Sequence, residues 1–375
     1  MLIIMVQYTC HIIHKSTKKK KNKMKNSFTY FLMVATILLG TLIIGSNETS
    51  TRSKNDNPLK WHKKQLSVLV IKIINDTTVL PSFIEIVKWL IQEKSTNVFV
   101  EKTVKEEFNS QFIDVHNVLK SFQKDNSDHI DEIDFIICLG GHGTLFYATS
   151  LFSKTVPPVM SFPMSPPGFL TPFQIQEFKE EITNVIEGHA TYFIRSRLEC
   201  NLIKETNTNQ FTENISVLND VIIEHGSNHL FSLSLYIDGT HITNVKGDGL
   251  VISTPTGSSA FAASTGSSLI HPRISAILIS AICPFALSFR SVVVSADVEI
   301  KIMLAPTNPL TTFAFVTFDG ANKQQLNVGD SIQIKSSLYP VQTINPQDKT
   351  MDWFSLLSKI MSWNVRINQK AIENN

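Results

Sequence analysis

The stretch DFIICLGGHGTLFYATSLF, Asp134–Phe152, decides the fold. Phe135–Leu139 is a continuous apolar run of the kind found in a buried strand. Gly140, Gly141, His142, Gly143 and Thr144 follow, and then an apolar helical pattern. Glycines at a strand-to-helix turn leave backbone N–H groups open to an anion, and the helix N-terminus adds positive potential. The turn matches neither the P-loop nor the spaced dinucleotide fingerprint. Taken alone, the glycines also fit a tight connection with no ligand. His142 is a side chain aimed at whatever the glycines hold.

Around this stretch, strand and helix patterns alternate. SVLVIKI, Ser67–Ile73, reads as a parallel strand. Pro81 starts a helix with Phe83, Val87, Leu90 and Ile91 on one face. NVFVEK reads as a second strand, SQFIDVHNVLKSFQK as a helix and PPVMSF as a further strand. The alternation predicts a parallel α/β sheet with its ligand at the carboxyl ends of the strands. From about Ile194 short alternating strands take over, with Asp238-Gly239 and Asp319-Gly320 as hairpin turns. The expected organisation is an extension and linker over 1–60, an α/β nucleotide-binding domain over 61–193, a mostly antiparallel β domain over 194–350, and a C-terminal helix and tail over 351–375.

The 375 residues carry a net charge of +2. Met1–Asn47 holds seven lysines and no acid, so the remainder is net −5. An acidic body excludes nucleic acid as the expected partner. The four cysteines, Cys10, Cys138, Cys200 and Cys283, are widely spaced, which argues against a disulfide frame or a zinc site. No metal-ligand set stands out.

The second chemical cluster is KGDGLVISTPTGSSAFAASTGSSLIHP. It crowds Asp248, Thr254, Thr256, Ser258 and Ser259 among glycines between apolar strands. Hydroxyls and free amides in that density suit a polar ligand rich in ribose and amide groups.

FIICLGGHGTL, GFLTPF, LNDVIIEHG, YIDGTHITNVKGDGLVISTPTGSSAFA, SLIHP, AICPFALSFR and VEIKIML, in this order, resemble the NAD kinases. The resemblance runs from about Trp61 to Val365 and is nearest to the ATP-using animal cytosolic type. Sphingosine and diacylglycerol kinases share a glycine turn but lack the Thr-Pro-Thr-Gly-Ser segment. The resemblance implies two domains with the active site between them, ATP, NAD and Mg2+ as ligands, and phosphorylation of the NAD adenosine ribose. It places Gly140, Gly141, Gly143 and Thr144 near the reacting phosphates and Phe169 near the nucleotide. Asn219, Asp220 and Asp248 fall on the dinucleotide, and Thr256, Ser259, Ala260 and Phe261 on its adenosine half. Self-assembly is expected as well.

Five departures from the family pattern stand out. His142 replaces the aspartate of Gly-Gly-Asp-Gly, which takes the 2′-hydroxyl proton. Asp220 replaces a glutamate, Phe261 a tyrosine and Phe285 a histidine, and Pro166-Pro167 enter a small-residue loop. A neutral imidazole accepts a proton near pH 7 but carries no negative charge. A slow kinase and a non-catalytic nucleotide-binding homologue both fit.

At the N-terminus, lysines precede an apolar run at residues 30–45 that is shorter than the ~20 residues of a spanning helix. A membrane segment, a non-native extension and a basic tail all remain open. The expected location is cytoplasmic, with Asn47, Asn75 and Asn214 unglycosylated.

Overall fold

Strand Phe135–Leu139 lies inside an eight-stranded mixed sheet. The computed structural model describes residues 57–73, 76–107, 114–115, 117–124, 127–205, 210–225, 231–305, 313–346 and 353–365. The extension up to residue 56, with its apolar run and Asn47, lies outside them, as do Asn75 and His116. Among the described residues no helix is long and apolar enough to cross a membrane.

The sheet runs Asn57–Pro58, Thr191–Arg195, Val341–Asn345, Val159–Phe162, Phe135–Leu139, Ser67–Lys72, Asn97–Glu101 and Lys120–Phe122. The last six are mutually parallel, whereas Thr191–Arg195 is antiparallel to both of its neighbours. Both faces are covered. Val68 and Val70 enter one apolar core, and Leu69 and Ile71 the other. This is why the strand reads as an unbroken apolar run. Phe83, Val87 and Leu90 of helix Leu80–Gln92 pack into the first core, with Ile91 at its margin.

Three expectations change. The sheet is mixed and not purely parallel. Within SQFIDVHNVLKSFQK, Lys120–Phe122 is the edge strand rather than helix; this short segment completes the sheet by parallel pairing with Phe99–Glu101. The domain division at 193/194 cuts through strand Thr191–Arg195, and Val341–Asn345 crosses back from the β-rich segment to fill the sheet between Thr191–Arg195 and Val159–Phe162.

The β domain consists of two six-stranded antiparallel sheets. One contains Asp220–His225, Gly249–Ser253, Ala276–Ile282 and Phe313–Phe318, and the other Leu198–Glu205, Phe231–Ile237, Ile300–Leu304 and Ser331–Ser336. A single core takes Val221 and Ile252 from the first and Leu202 and Ile302 from the second. Asp238-Gly239 and Asp319-Gly320 turn their hairpins with φ of 48°, 75°, 51° and 70°. Positive φ at both positions is what a two-residue hairpin turn requires. Cys138, Cys200 and Cys283 are free thiols.

Candidate active site

The glycine turn stands where the sheet strand meets a helix. Gly140 has φ +148°, and a side chain there would come within 2.2 Å of Thr144 Oγ1. Gly141 caps helix His142–Ser150 in an extended conformation. Side chains at 141 and 143 would meet nothing within 4 Å, so the backbone faces open space. Four N–H groups at such a helix start lack intrahelical partners. Thr144 Oγ1 is buried, and no hydrogen bond to it is made among the described residues.

His142 is the first helical residue and is solvent-accessible. Its ring lies against Gly168, where a Cβ would approach Nε2 to 2.9 Å. Desolvation, and then the positive charge of Arg195, hold the imidazole below the ordinary histidine pKa. The helix N-terminus acts in the same direction. The ring is therefore neutral at pH 7 and able to accept a proton. A cavity of about 710 Å³ opens beside it, walled by Gly141, Pro166, Pro167 and Gly168 and by Leu356 and Lys359 of the C-terminal helix Trp353–Met361. Pro166-Pro167 thus form a wall of this cavity.

The second wall comes from the β domain. The loop after Ser253 folds back on Leu218–Asp220. Thr254 Oγ1 donates to the Leu218 carbonyl at 2.7 Å, and Thr254 N donates to the Asn219 carbonyl at 2.8 Å. Gly257 is pressed so close that a Cβ would lie 2.3 Å from the Asn219 carbonyl oxygen. Asn219 Oδ1 is buried, with no hydrogen bond among the described residues. Asp220 is 3% exposed. Burial, reinforced by the nearby Asp319 charge, pushes its carboxyl up to about 7.

Asp319 pins this segment. Its carboxylate accepts the backbone N–H groups of Leu218 at 2.8 Å, Asn219 at 2.6 Å and Asp220 at 3.3 Å. Burial raises its pKa to about 6, while these three N–H groups and Arg197 oppose the rise. The sequence identified Asp319 only as a hairpin residue; nothing local reveals that its side chain reaches back a hundred positions.

The two walls meet at Arg195, which sequence reasoning missed. Its guanidinium donates to Thr256 Oγ1 at 3.4 Å and to the Phe169 carbonyl at 3.3 Å. His142, packed on Gly168, is thus linked through the neighbouring Phe169 carbonyl and Arg195 to Thr256 of the hydroxyl-rich loop. The Phe169 ring lies 6.3 Å from Trp353 of the C-terminal helix. Ser259 Oγ donates to the Thr256 carbonyl, Ala260 N donates to the Gly257 carbonyl, and Phe261 is 40% exposed at the end of this loop.

Asp248 is not brought to this group. It lies at the far end of strand Gly249–Ser253, six steps from Thr254, or about 20 Å at ~3.3 Å per residue. It is exposed and accepts a hydrogen bond from the Cys283 thiol, which raises the thiol pKa. Phe285, which donates its N–H to the Lys246 carbonyl at 2.9 Å, belongs to this same end. No three His, Cys, Asp or Glu side chains cluster to hold a metal among the described residues.

An open glycine turn at a helix N-terminus, joined through one arginine to a hydroxyl-rich loop, is the arrangement of a nucleotide-phosphate-binding protein. The comparisons narrow this class. Residues 12–190 match the ATP-NAD kinase N-terminal domain and residues 218–346 the ATP-NAD kinase C-terminal domain. "Probable NAD kinase 2, chloroplastic" of Oryza sativa subsp. japonica is 36% identical over 327 residues, covering 85% of this chain and 33% of the relative. The NAD(+) kinase of Saccharomyces cerevisiae is 30% identical over 372 residues, covering 92% of this chain and 67% of that protein. The crystal structure of yeast NADH kinase complexed with NADH superposes with a TM-score of 0.77 at 28% identity, covering 86% of this chain and 95% of that one. The chain belongs to the NAD kinase family. It spans about a third of the length of the rice relative. The expected animal cytosolic subtype rests on the sequence motifs alone.

Proposed function

We propose that the chain transfers the γ-phosphoryl group of ATP to the 2′-hydroxyl of the NAD adenosine ribose, making NADP. The observation that carries this reading is the open glycine turn tied through Arg195 to the Thr256 loop, which is itself folded onto Asn219. Gly140, Gly141, Gly143 and Thr144 take the phosphates. Phe169, Asn219, Asp220, Thr256, Ser259, Ala260 and Phe261 take the dinucleotide. Neutral His142 accepts the 2′-hydroxyl proton as that oxygen bonds to the γ-phosphorus. The bond to the β–γ bridging oxygen breaks, and ADP leaves. Such transfer depends chiefly on positioning and charge, with the base adding a further factor.

Magnesium enters as the companion ion of ATP, held by the phosphates. Among the described residues no carboxylate lines the cavity beside His142, so no protein ligand is assigned to it.

The assay is direct. The full chain is given ATP, magnesium and NAD, and NADP is measured. NADP formation is expected. A chain that binds ATP yet forms no NADP would instead be the nucleotide-binding homologue without turnover.

Asp248 tests the extent of the dinucleotide site. Because it lies apart from the other residues, Asp248→Ala should leave the NAD dissociation constant within about threefold of the parent by calorimetry. A loss of about tenfold, as for one hydrogen bond to a charged group, would bring Asp248 back into the site. Beside it, Phe285 and Leu287 are 74% and 88% exposed, and Val292 and Val293 continue the apolar surface along an edge strand. A second copy of the chain covers this face in the proposed assembly, and a monomer in sedimentation at micromolar concentration would refute it. The proposed location is cytoplasmic, where ATP and NAD are available.

A further inference from the structure

Two arginines two residues apart, Arg195 and Arg197, are both buried, at 7% and 1% exposure. They are neutralised differently. Arg197 donates to the carbonyls of Phe152, Lys154 and Tyr339, and its charge faces Asp319. Arg195 donates Nε to Thr343 Oγ1 at 2.9 Å, Nη1 to Thr256 Oγ1 and Nη2 to the Phe169 carbonyl. All three acceptors are neutral, and among the described residues no carboxylate pairs with it.

A buried guanidinium without a counter-charge is costly, and Arg is kept in such places where its fixed fork of donors is used. Each acceptor belongs to a different segment. Thr343 is on the returning sheet strand, Phe169 on the loop that packs against His142, and Thr256 on the hydroxyl-rich loop. Burial lowers the Arg195 pKa to about 10, which still leaves it charged at pH 7. Its charge reaches the phosphate turn, where it acts on His142.

We propose that Arg195 is a positioning residue of the phosphoryl-transfer site: it locks the Phe169 loop to the Thr256 loop and keeps an unneutralised positive charge behind the phosphate turn. The missing counter-charge arrives with the nucleotide phosphates. Lysine supplies the charge but cannot bond three segments at once, and glutamine supplies neither. This inference rests on the proposed kinase reading, so one arm of its test does not depend on turnover.

The full chain carrying Arg195→Gln or Arg195→Lys is compared with the parent. Arg195→Gln should weaken MgATP binding about tenfold by calorimetry and lower kcat by 100-fold or more. The acid limb of its kcat/KM profile should move to higher pH, because His142 loses a positive neighbour. Arg195→Lys should keep the MgATP affinity within threefold and the acid limb in place, while losing about tenfold in kcat. A purely structural arginine would behave otherwise: the melting temperature would fall, but folded protein would bind MgATP as the parent does and keep its pH profile. That result overturns the proposal. Should Arg195→Gln fail to fold, Arg195→Lys decides, since parental kcat with lysine would eliminate the bridging role. If the parent makes no NADP, the kinase reading fails separately, and unchanged MgATP affinity in Arg195→Gln would still refute the role of Arg195.

Discussion

His142→Asp in the full chain is expected to form NADP about 10²-fold faster than the natural protein, the lower end of what a well-placed general base contributes. Three features support the gain. Residue 142 is the first residue of a nine-residue helix, where a carboxylate is stabilised by the N-terminal dipole and an imidazolium is not. Arg195 projects positive charge onto the same position, which depresses proton affinity in histidine and would keep an aspartate ionised. The imidazole also lies against Gly168, while the shorter aspartate leaves that space free for substrate. Initial rates of NADP formation at saturating ATP and NAD give the answer. A variant no faster than the parent would place the limit elsewhere in the site, with the Pro166-Pro167 wall the first suspect.

The glycine turn was legible because its signal is local. A strand that ends in Gly140-Gly141 has few other ways to start a helix, and the backbone there takes a φ that only glycine adopts readily. Asp238-Gly239 and Asp319-Gly320 were legible for the same reason. Long-range partnership was not. Val341–Asn345 reads like any half-buried strand, and nothing in VQTIN says that its neighbours lie nearly 150 and 180 residues upstream. Arg195 carries no local signal, because a cation at the end of an apolar strand normally marks a solvated edge. Its burial depends on three segments that meet only in the fold. The C-terminal helix was legible, and its apolar spacing over Trp353, Phe354, Leu357, Ile360 and Met361 only in part. Leu357 is buried beside Leu356, while Phe354, Ile360 and Met361 are 61%, 42% and 40% exposed. The candidate site shows the same division. Motif residues on neighbouring loops, His142, Phe169, Asn219 and Thr256, come together, whereas Asp248 sits at the other end of its strand.

Asp220→Asn is expected to stabilise the fold, and to do so more strongly as pH rises. Asp220 is 3% exposed, and its pKa is raised from 3.8 to about 7. Between those values the unfolded chain has released a proton that the folded chain retains. Stability therefore falls as pH climbs from about 4 to about 7 and levels off above. Three pH units correspond to about 4 kcal/mol at pH 8. Asparagine has nearly the same shape and never ionises, so it avoids that cost. The gain should be about 4 kcal/mol at pH 8 and smaller by about 2 to 3 kcal/mol at pH 5, where folded Asp220 is already protonated. Asp319 keeps its own partners. Its three backbone N–H bonds and Arg197, which oppose the rise from burial, remain in the variant. Urea denaturation of parent and variant at pH 5 and pH 8 measures both gains. Equal gains at the two pH values would mean that Asp220 is ionised in the fold throughout, with a cation or water supplying what burial withholds. The larger gain at pH 8 would show that the chain carries a carboxyl held near neutrality next to Asn219 at a standing cost in stability, the mark of a residue retained for the site rather than for the fold.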